Sequence, residues 1–303
     1  MPSASVIVRL MGGSQLFLDV DTFPAGTDSA TCLQAGLQQL ARTFDGDTLR
    51  TLLALVLLRD ADGVVLENYQ HLAGLMGWTP ESLVAHGNRR NKTLRSSVAT
   101  LMTVRFLISN AGQMMAAPLL VEVGEVQTKR PRKKRQRMLV LNPAIWGPLT
   151  RAGLVTAFDR RLLQVSEPAM RIGLYLAARL GPSYATHHLD QHKGLPHTLA
   201  TLLDGAGVKW RDGVKKHGPA ALRAKVQGWL DELQAAPGGG PPLWFEYLRR
   251  DAVGDDLITV WYGPHLLAEQ DSVSSKRRLA RDRRTGTAAA KGLPAPQTKD
   301  TPT

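Results

Sequence analysis

A chain of 303 residues, 43% hydrophobic and 21% charged, is long enough for about two domains with real cores. Its one cysteine, Cys32, excludes an internal disulfide framework and a Cys-rich zinc site, and reads as a small buried hydrophobe on a helix. No apolar run approaches the ~18 residues of a membrane span, and the start of the chain lacks the charged-then-apolar layout of a signal peptide, so the expected compartment is the cytoplasm.

The net charge of +12 is concentrated in two stretches. Lys129 to Arg137 holds seven cations in nine positions, and Lys276 to Arg284 holds six cations and Asp282. Together they carry the whole excess, which predicts a folded body with two phosphate-seeking attachments rather than a uniformly basic protein.

In chain order, Val6-Ile7-Val8 and Leu16-Phe17-Leu18 flank Gly12-Gly13-Ser14 as a hairpin. Thr31 to Phe44, with Leu33, Leu37 and Leu40 in a stripe, predicts a helix, and Thr48 to Arg59 a second. Asp62-Gly63 turns into a short strand, Val64-Val65-Leu66. The next helix is Tyr69 to Met76, capped by Asn68 and ended by Gly77 in the left-handed conformation, with Leu72, Leu75 and Met76 inward and Ala73 leaving room for a crossing helix. Thr79 to Arg90 is longer than a tight helix-turn-helix allows, and Thr79-Pro80 suggests an extra short turn inside it.

Lys92 to Thr103 then reads as an amphipathic helix with Leu94, Val98 and Leu101 inward. Its other face carries Lys92, Arg95, Ser96 and Ala99, preceded by Arg89 and Arg90. Small and cationic residues on an outward face fit the DNA major groove, where Arg reads guanine and phosphates attract the rest. Phe106-Leu107-Ile108 and Leu119 to Val126 read as strands, and Met138 to Leu141 pairs back as a third. The loop before that last strand contains Lys129, Arg130, Arg132, Lys133, Lys134, Arg135 and Arg137. It repels itself and needs an anionic partner to become ordered.

Ala144 to Leu154 bridges to the second half, where Pro168 to Leu180 predicts an apolar helix ended by Gly181-Pro182. Tyr184 to Leu195 and its surroundings hold His187, His188, His192 and His197 in an order that matches no metal-binding pattern, and read as a polar loop. The second half echoes the first. Leu72-Ala73-x-Leu75-Met76 recurs as Leu199-Ala200-x-Leu202-Leu203, and Leu94, Val98 and Leu101 recur in spacing as Leu222, Val226 and Trp229. Leu243 to Arg249 and Leu257 to Tyr262 form a second hairpin, and the exits Leu141-Asn142-Pro143 and Tyr262-Gly263-Pro264 match. The shared order argues for two copies of one unit.

The copies differ in chemistry. In the second, Lys215, Lys216 and His217 lead a helix whose outer face holds Ala220, Arg223 and Gln227. Its hairpin loop, Arg250 to Asp256, contains Asp251, Asp255 and Asp256, which repel phosphate. Beyond Ala268 the Ser, Ala, Gly, Pro, Lys and Arg composition predicts a disordered tail that adds non-specific affinity.

No Gly-x4-Gly-Lys-Ser/Thr loop, no His-hydrophobic-His pair and no recognisable triad is present, so the chain is expected to be neither an enzyme nor a carrier of cofactor or metal. Tyr69, Trp78, Trp210, Trp229, Trp244 and Trp261 read as packing residues.

The expected fold is therefore α+β: a winged-helix domain over residues 1–150 with a basic wing, a second over 151–267, and the basic tail over 268–303. Two tandem winged helices in this order resemble the plasmid replication initiators of the iteron-binding Rep class. That resemblance implies sequence-specific binding of double-stranded DNA at repeated origin sites, one winged helix on each of two major-groove segments. It further implies melting of nearby DNA with host replication initiation proteins, and a homodimer that represses its own promoter. The chain departs from that family in carrying its most basic wing in the first domain and an acidic one in the second. The residues placed on DNA are Arg89, Arg90, Lys92, Arg95 and Ser96, the seven wing cations, and Lys215, Lys216, His217, Arg223 and Gln227. A transcriptional or partition regulator of the same fold, and a winged-helix module that binds protein instead, are the alternatives.

Overall fold

The computed structural model describes residues 6–10, 17–18, 37, 40–60, 62–79, 89–110, 113–127, 135–151, 160–187, 195–235, 245–251 and 256–262. They mix helix and strand in an α+β arrangement. The gap segment around Pro80, the basic loop from Thr128 to Lys134, Cys32 and the tail beyond Ala268 lie outside the described residues.

The first helical core is set by local caps. Helix α1 (Gly46–Leu58) starts at Asp45, whose carboxylate accepts from Thr48 N at 2.7 Å, so the helix begins ahead of the expected Thr48. Strand β3 (Val64–Leu66) follows a turn at Gly63, φ +80°. Helix α2 (Tyr69–Leu75) is capped by Asn68, which accepts from Gln70 N and His71 N, and the chain leaves it through Gly77 at φ +70°. Leu72, Ala73 and Met76 are buried, whereas Leu75 is only half-buried. Helix α3 (Arg89–Thr103) extends three residues N-terminal of its predicted start at Lys92 and buries Leu94, Val98 and Leu101 completely. It packs chiefly on α1, where the small residues Thr48, Thr51 and Ala54 lie buried opposite buried Ser97.

The strands sort into separate sheets. Strands β1 (Val6–Leu10) and β2 (Phe17–Leu18) form the expected hairpin, and β4 (Val104–Asn110) and β5 (Gln113–Pro118) join it in the order β2-β1-β4-β5. Phe106 to Ile108 therefore does not join the strands of Leu119 to Val126 and Met138 to Leu141, which the sequence pattern groups it with. It pairs with β1, Phe106 opposite Val8 and Leu107 opposite Ile7. Alternation of apolar residues specifies which face of a strand is buried, not which strand lies beside it. Strands β6 (Leu120–Gln127) and β7 (Arg135–Leu141) form the hairpin proper, and β3 adds to β7 in the order β3-β7-β6. A bulge between Glu122 and Gly124 interrupts the β6–β7 ladder.

After helix α4 (Pro143–Arg151) and the 3-10 turn Arg160–Gln164, the same plan recurs. Helix α5 (Glu167–His187), strand β8 (Leu195–Thr198), helix α6 (Leu199–Ala206), helix α7 (Arg211–Gln234) and the hairpin β9 (Phe245–Asp251) and β10 (Asp256–Tyr262) follow in turn. Their sheet is ordered β8-β10-β9, antiparallel throughout, as β3-β7-β6 is.

Three expectations are corrected in this half. Helix α5 does not stop at Gly181-Pro182 but runs on to His187; a helical proline forfeits one backbone hydrogen bond, which kinks a helix without necessarily ending it. Tyr184 to His187 is helix and His197 lies in β8, so those residues are not a polar loop; His188 and His192 lie outside the described residues. Helix α7 breaks at Gly218 (φ 78°, ψ 167°) ahead of Pro219, so Lys215, Lys216 and His217 sit on a separate turn and do not lead the helix that packs.

The internal repeat is also out of step with the sequence echo by one helical turn. The caps and glycines align Asn68 with Thr198 and Gly77 with Gly207, which pairs Leu72, Ala73 and Met76 with Leu202, Leu203 and Ala206, all buried. In the later helix the i, i+4, i+7 burial of Leu94, Val98 and Leu101 recurs at Val226, Leu230 and Leu233, while Trp229 is half-buried. A shift of about one turn keeps an apolar stripe on the same face, so the sequence pattern matches nearly as well in the wrong register.

The buried residues of both halves form one cluster, joined through Leu162, Leu163 and Val165. Polar clamps cross the same junction. The Arg50 guanidinium donates to the Val165 carbonyl at 2.7 Å, and Arg171, 7% exposed, donates to the carbonyls of Ala41 and Phe44 and pairs with Glu167 at 2.9 Å. Gly207, at φ +69°, meets residue 42 here; a Cβ on it would lie 2.8 Å from Arg42 Cγ. Gly207→Ala should cost about 1–2 kcal/mol from the left-handed backbone alone, read as a lower urea midpoint at unchanged slope.

Candidate nucleic-acid interface

The residues on the solvent face of α3 are those the sequence placed there: Arg89, Lys92, Arg95, Ser96 and Ala99 are all exposed. The helix presents them because its apolar positions are consumed by α1 and the core. Two cations near this face are held over rings. The Arg90 guanidinium carbon lies 5.0 Å from the centre of the Trp78 ring, and that of Arg95 lies 5.6 Å from the centre of the Tyr69 ring. Such contacts limit the head group's range without neutralising its charge.

Tyr69 is itself fixed from below. Its hydroxyl donates to Glu67 Oε1, and Glu67 follows β3 in sequence with its side chain 5% exposed. Glu67 takes both arms of Arg137: Nε donates to Oε2 at 2.5 Å and Nη2 to Oε1 at 2.6 Å. The remaining arm, Nη1, reaches Glu122 Oε2 on β6 at 3.2 Å. A buried carboxylate needs this number of donors to offset its lost hydration. The pair holds the guanidinium proton above the already high range of arginine, chiefly because the guanidinium donates its hydrogen bonds to the Glu67 carboxylate. Of the predicted wing cations, Arg137 thus has its charge already matched by two carboxylates. Arg135 lies in β7, and Lys129, Arg130, Arg132, Lys133 and Lys134 lie outside the described residues.

Burial, and then the Glu67 carboxylate, raise the Tyr69 hydroxyl above the usual value of 10.0. A raised folded value means that the native state keeps a proton the unfolded chain releases, so the contribution is complete below pH 10.0 and fades as pH climbs through the folded value. The stability advantage of the wild type over Tyr69→Phe should therefore shrink above pH 10.0 in urea titrations run in parallel.

The second unit presents less charge in the matching place. Position for position along the buried stripe, Gln227 stands where Arg95 stands in α3, and its amide donates to Asp231 at 3.0 Å. Arg223 is exposed on the same helix, and Lys215, Lys216 and His217 are exposed before the break at Gly218. Trp210 and Arg211 are tied to Asp204, by the indole Nε1 at 2.8 Å and the guanidinium at 2.6 Å. Of the aromatic residues expected to pack, Tyr69, Trp78, Trp210 and Trp229 lean on the core while staying half-buried; the side chains of Trp244 and Trp261 lie outside the described residues. A cleft of about 490 Å³ lies where the halves meet, between residues 42–45, the start of α5 and the Trp210 and Trp229 side chains.

The sequence missed Glu67, Tyr69 as a polar residue, and Glu122. One signal was available: Glu67 is an acid between an apolar strand and a helix cap, and a buried acid requires a cation. Among the described residues no helix is long and apolar enough to cross a membrane, and no group of three or more His, Cys, Asp or Glu side chains could hold a metal ion.

No protein-family model matches the chain, and no curated protein sequence matches it. Among solved structures it is similar to a crystal structure of domains 2 and 3 of RctB, at 15% identity and a TM-score of 0.43, over 72% of this chain and 82% of that one.

Proposed function

We propose that each half of the chain is a winged helix and that the protein binds double-stranded DNA sequence-specifically, without catalysing bond chemistry. The observation that carries this reading is the exposed face of α3, with Arg89, Lys92, Arg95 and Ser96 outward and every large apolar side chain of that helix from Leu94 to Leu101 buried behind it. Arg95 and Lys92 would contact bases and phosphates in one major groove. The basic loop between β6 and β7 would clamp the adjoining backbone. In the second unit Gln227, a residue type that pairs with adenine, and Arg223 would read another groove segment with little help from an acidic wing.

Two readers on one chain suit directly repeated sites, and the most specific form of the proposal is a plasmid replication initiator that binds repeated origin sequences. The first test is selection from random duplex DNA followed by anisotropy titration. A recovered site with two half-sites about one helical turn apart, and loss of preference at one of them in Arg95→Ala, is the expected result. Absence of duplex binding at low salt would defeat the reading and favour a protein-binding role. A transformation assay in which the gene in trans supports an origin carrying the recovered repeats separates an initiator from a regulator of transcription or partition.

A further inference from the structure

The geometry points to Tyr69 as a positioning residue for base recognition: we infer that it fixes where the Arg95 guanidinium sits, and that its own ring is held through Glu67 by Arg137 at the root of the wing. This rests on the DNA-reading role proposed for α3. The connection runs from Arg137 through Glu67 and Tyr69 to Arg95, with Glu122 as a side branch. Arg137 on β7 grips Glu67 with two arms, at 2.5 and 2.6 Å, and reaches Glu122 on β6 with the third. Glu67 accepts from the Tyr69 hydroxyl at the first residue of α2, and the Tyr69 ring lies under Arg95 of α3 at 5.6 Å.

Each link constrains the next. Glu67 is buried and bonded to three donor groups, so its carboxylate has little freedom to move. A phenol anchored at its hydroxyl cannot swing its ring away. An exposed arginine without such a platform samples many rotamers and must lose that freedom on binding. Among the described residues Arg95 has no carboxylate partner, so the ring is what limits its head group while leaving all five donors for a base or phosphate. The same network joins β6, β7 and the residue that follows β3, which ties the seat of Arg95 to the hairpin strands. Arg137 accordingly acts through other residues and does not itself touch DNA.

The test compares Tyr69→Leu, Tyr69→Phe, Glu67→Gln, Arg95→Ala and the Tyr69→Leu/Arg95→Ala double variant on the selected duplex and on duplexes altered at the base pairs that Arg95→Ala relaxes. Arg95→Ala should lose about 5- to 150-fold of discrimination there, the range of one base-reading contact. Tyr69→Leu should lose most of that same discrimination at the same base pairs, and the double variant should be no worse than Arg95→Ala alone. Tyr69→Phe keeps the ring but frees it from Glu67, and should fall between the wild type and Tyr69→Leu. The salt dependence of Tyr69→Leu should match that of the wild type, because no phosphate-contacting cation is removed. Full wild-type discrimination by Tyr69→Leu, or losses that simply multiply in the double variant, overturns the inference while leaving the DNA-reading role intact. If Tyr69→Leu fails to fold, Glu67→Gln decides in its place: unchanged discrimination at those base pairs overturns the coupling to the wing root. A wild-type protein that shows no preference among duplexes defeats the underlying reading instead.

Discussion

Replacing Lys129, Arg130, Arg132, Lys133, Lys134 and Arg135 together by glutamine should weaken duplex binding on the order of 10³-fold or more at 0.1 M salt, and by similar factors for every sequence. Seven cations lie between Lys129 and Arg137, and Arg137 already faces Glu67 and Glu122, so the variant neutralises the other six, the ones proposed to meet phosphates. Each phosphate neutralised contributes about 0.9 to the slope of log affinity against log salt, so the slope should flatten by about five. Anisotropy titrations across a salt series measure it directly. Arg137→Gln gives the internal contrast: it should barely change the slope, yet should blur base discrimination through the loss of Glu67's partner. A slope that stays within one unit of wild type in the six-fold variant would mean that the loop does not meet a phosphate backbone, and the wing assignment would have to be abandoned. The tail cations from Lys276 to Arg284 supply a residual salt dependence, which their own removal should reveal.

The second large effect is on stability. Arg171→Met should cost about 2–4 kcal/mol, because it strips the donors from the carbonyls of Ala41 and Phe44 and leaves Glu167 without its cation. Methionine fills much of the same volume, so packing loss is small and the cost reports the polar clamp. Since these groups sit where the halves meet, the variant should also separate what is otherwise one transition: urea unfolding followed by near-UV and far-UV signals should lose coincidence. A single coincident transition with a midpoint near wild type would show that the apolar seam at Leu162, Leu163 and Val165 is sufficient to hold the halves together.

Local instructions in the chain were legible without coordinates. Asn68 as cap, Gly77 as stop and the stripe of Leu94, Val98 and Leu101 act within a few residues, and the structure uses each as expected. The outward set Lys92, Arg95 and Ser96 follows from that stripe by elimination. Pairing and phase were less legible. Nothing local tells Phe106 that its neighbour is Val8, or tells an apolar stripe which of two turns faces the partner helix, so the sequence pattern alone places the second repeat one turn early.

What the sequence determined by itself, then, was the helices, the repeat and the placement of charge, because propensity, capping and periodicity are short-range and survive in any tertiary setting. What the tertiary structure alone decided was that one cation of the basic run is already paired. Bringing β3 beside β7 buries Glu67 against Arg137 and matches that guanidinium with a carboxylate distant in the chain. The cost of leaving a carboxylate buried without a partner selects that pairing, and it exists only once strands far apart in the chain have met.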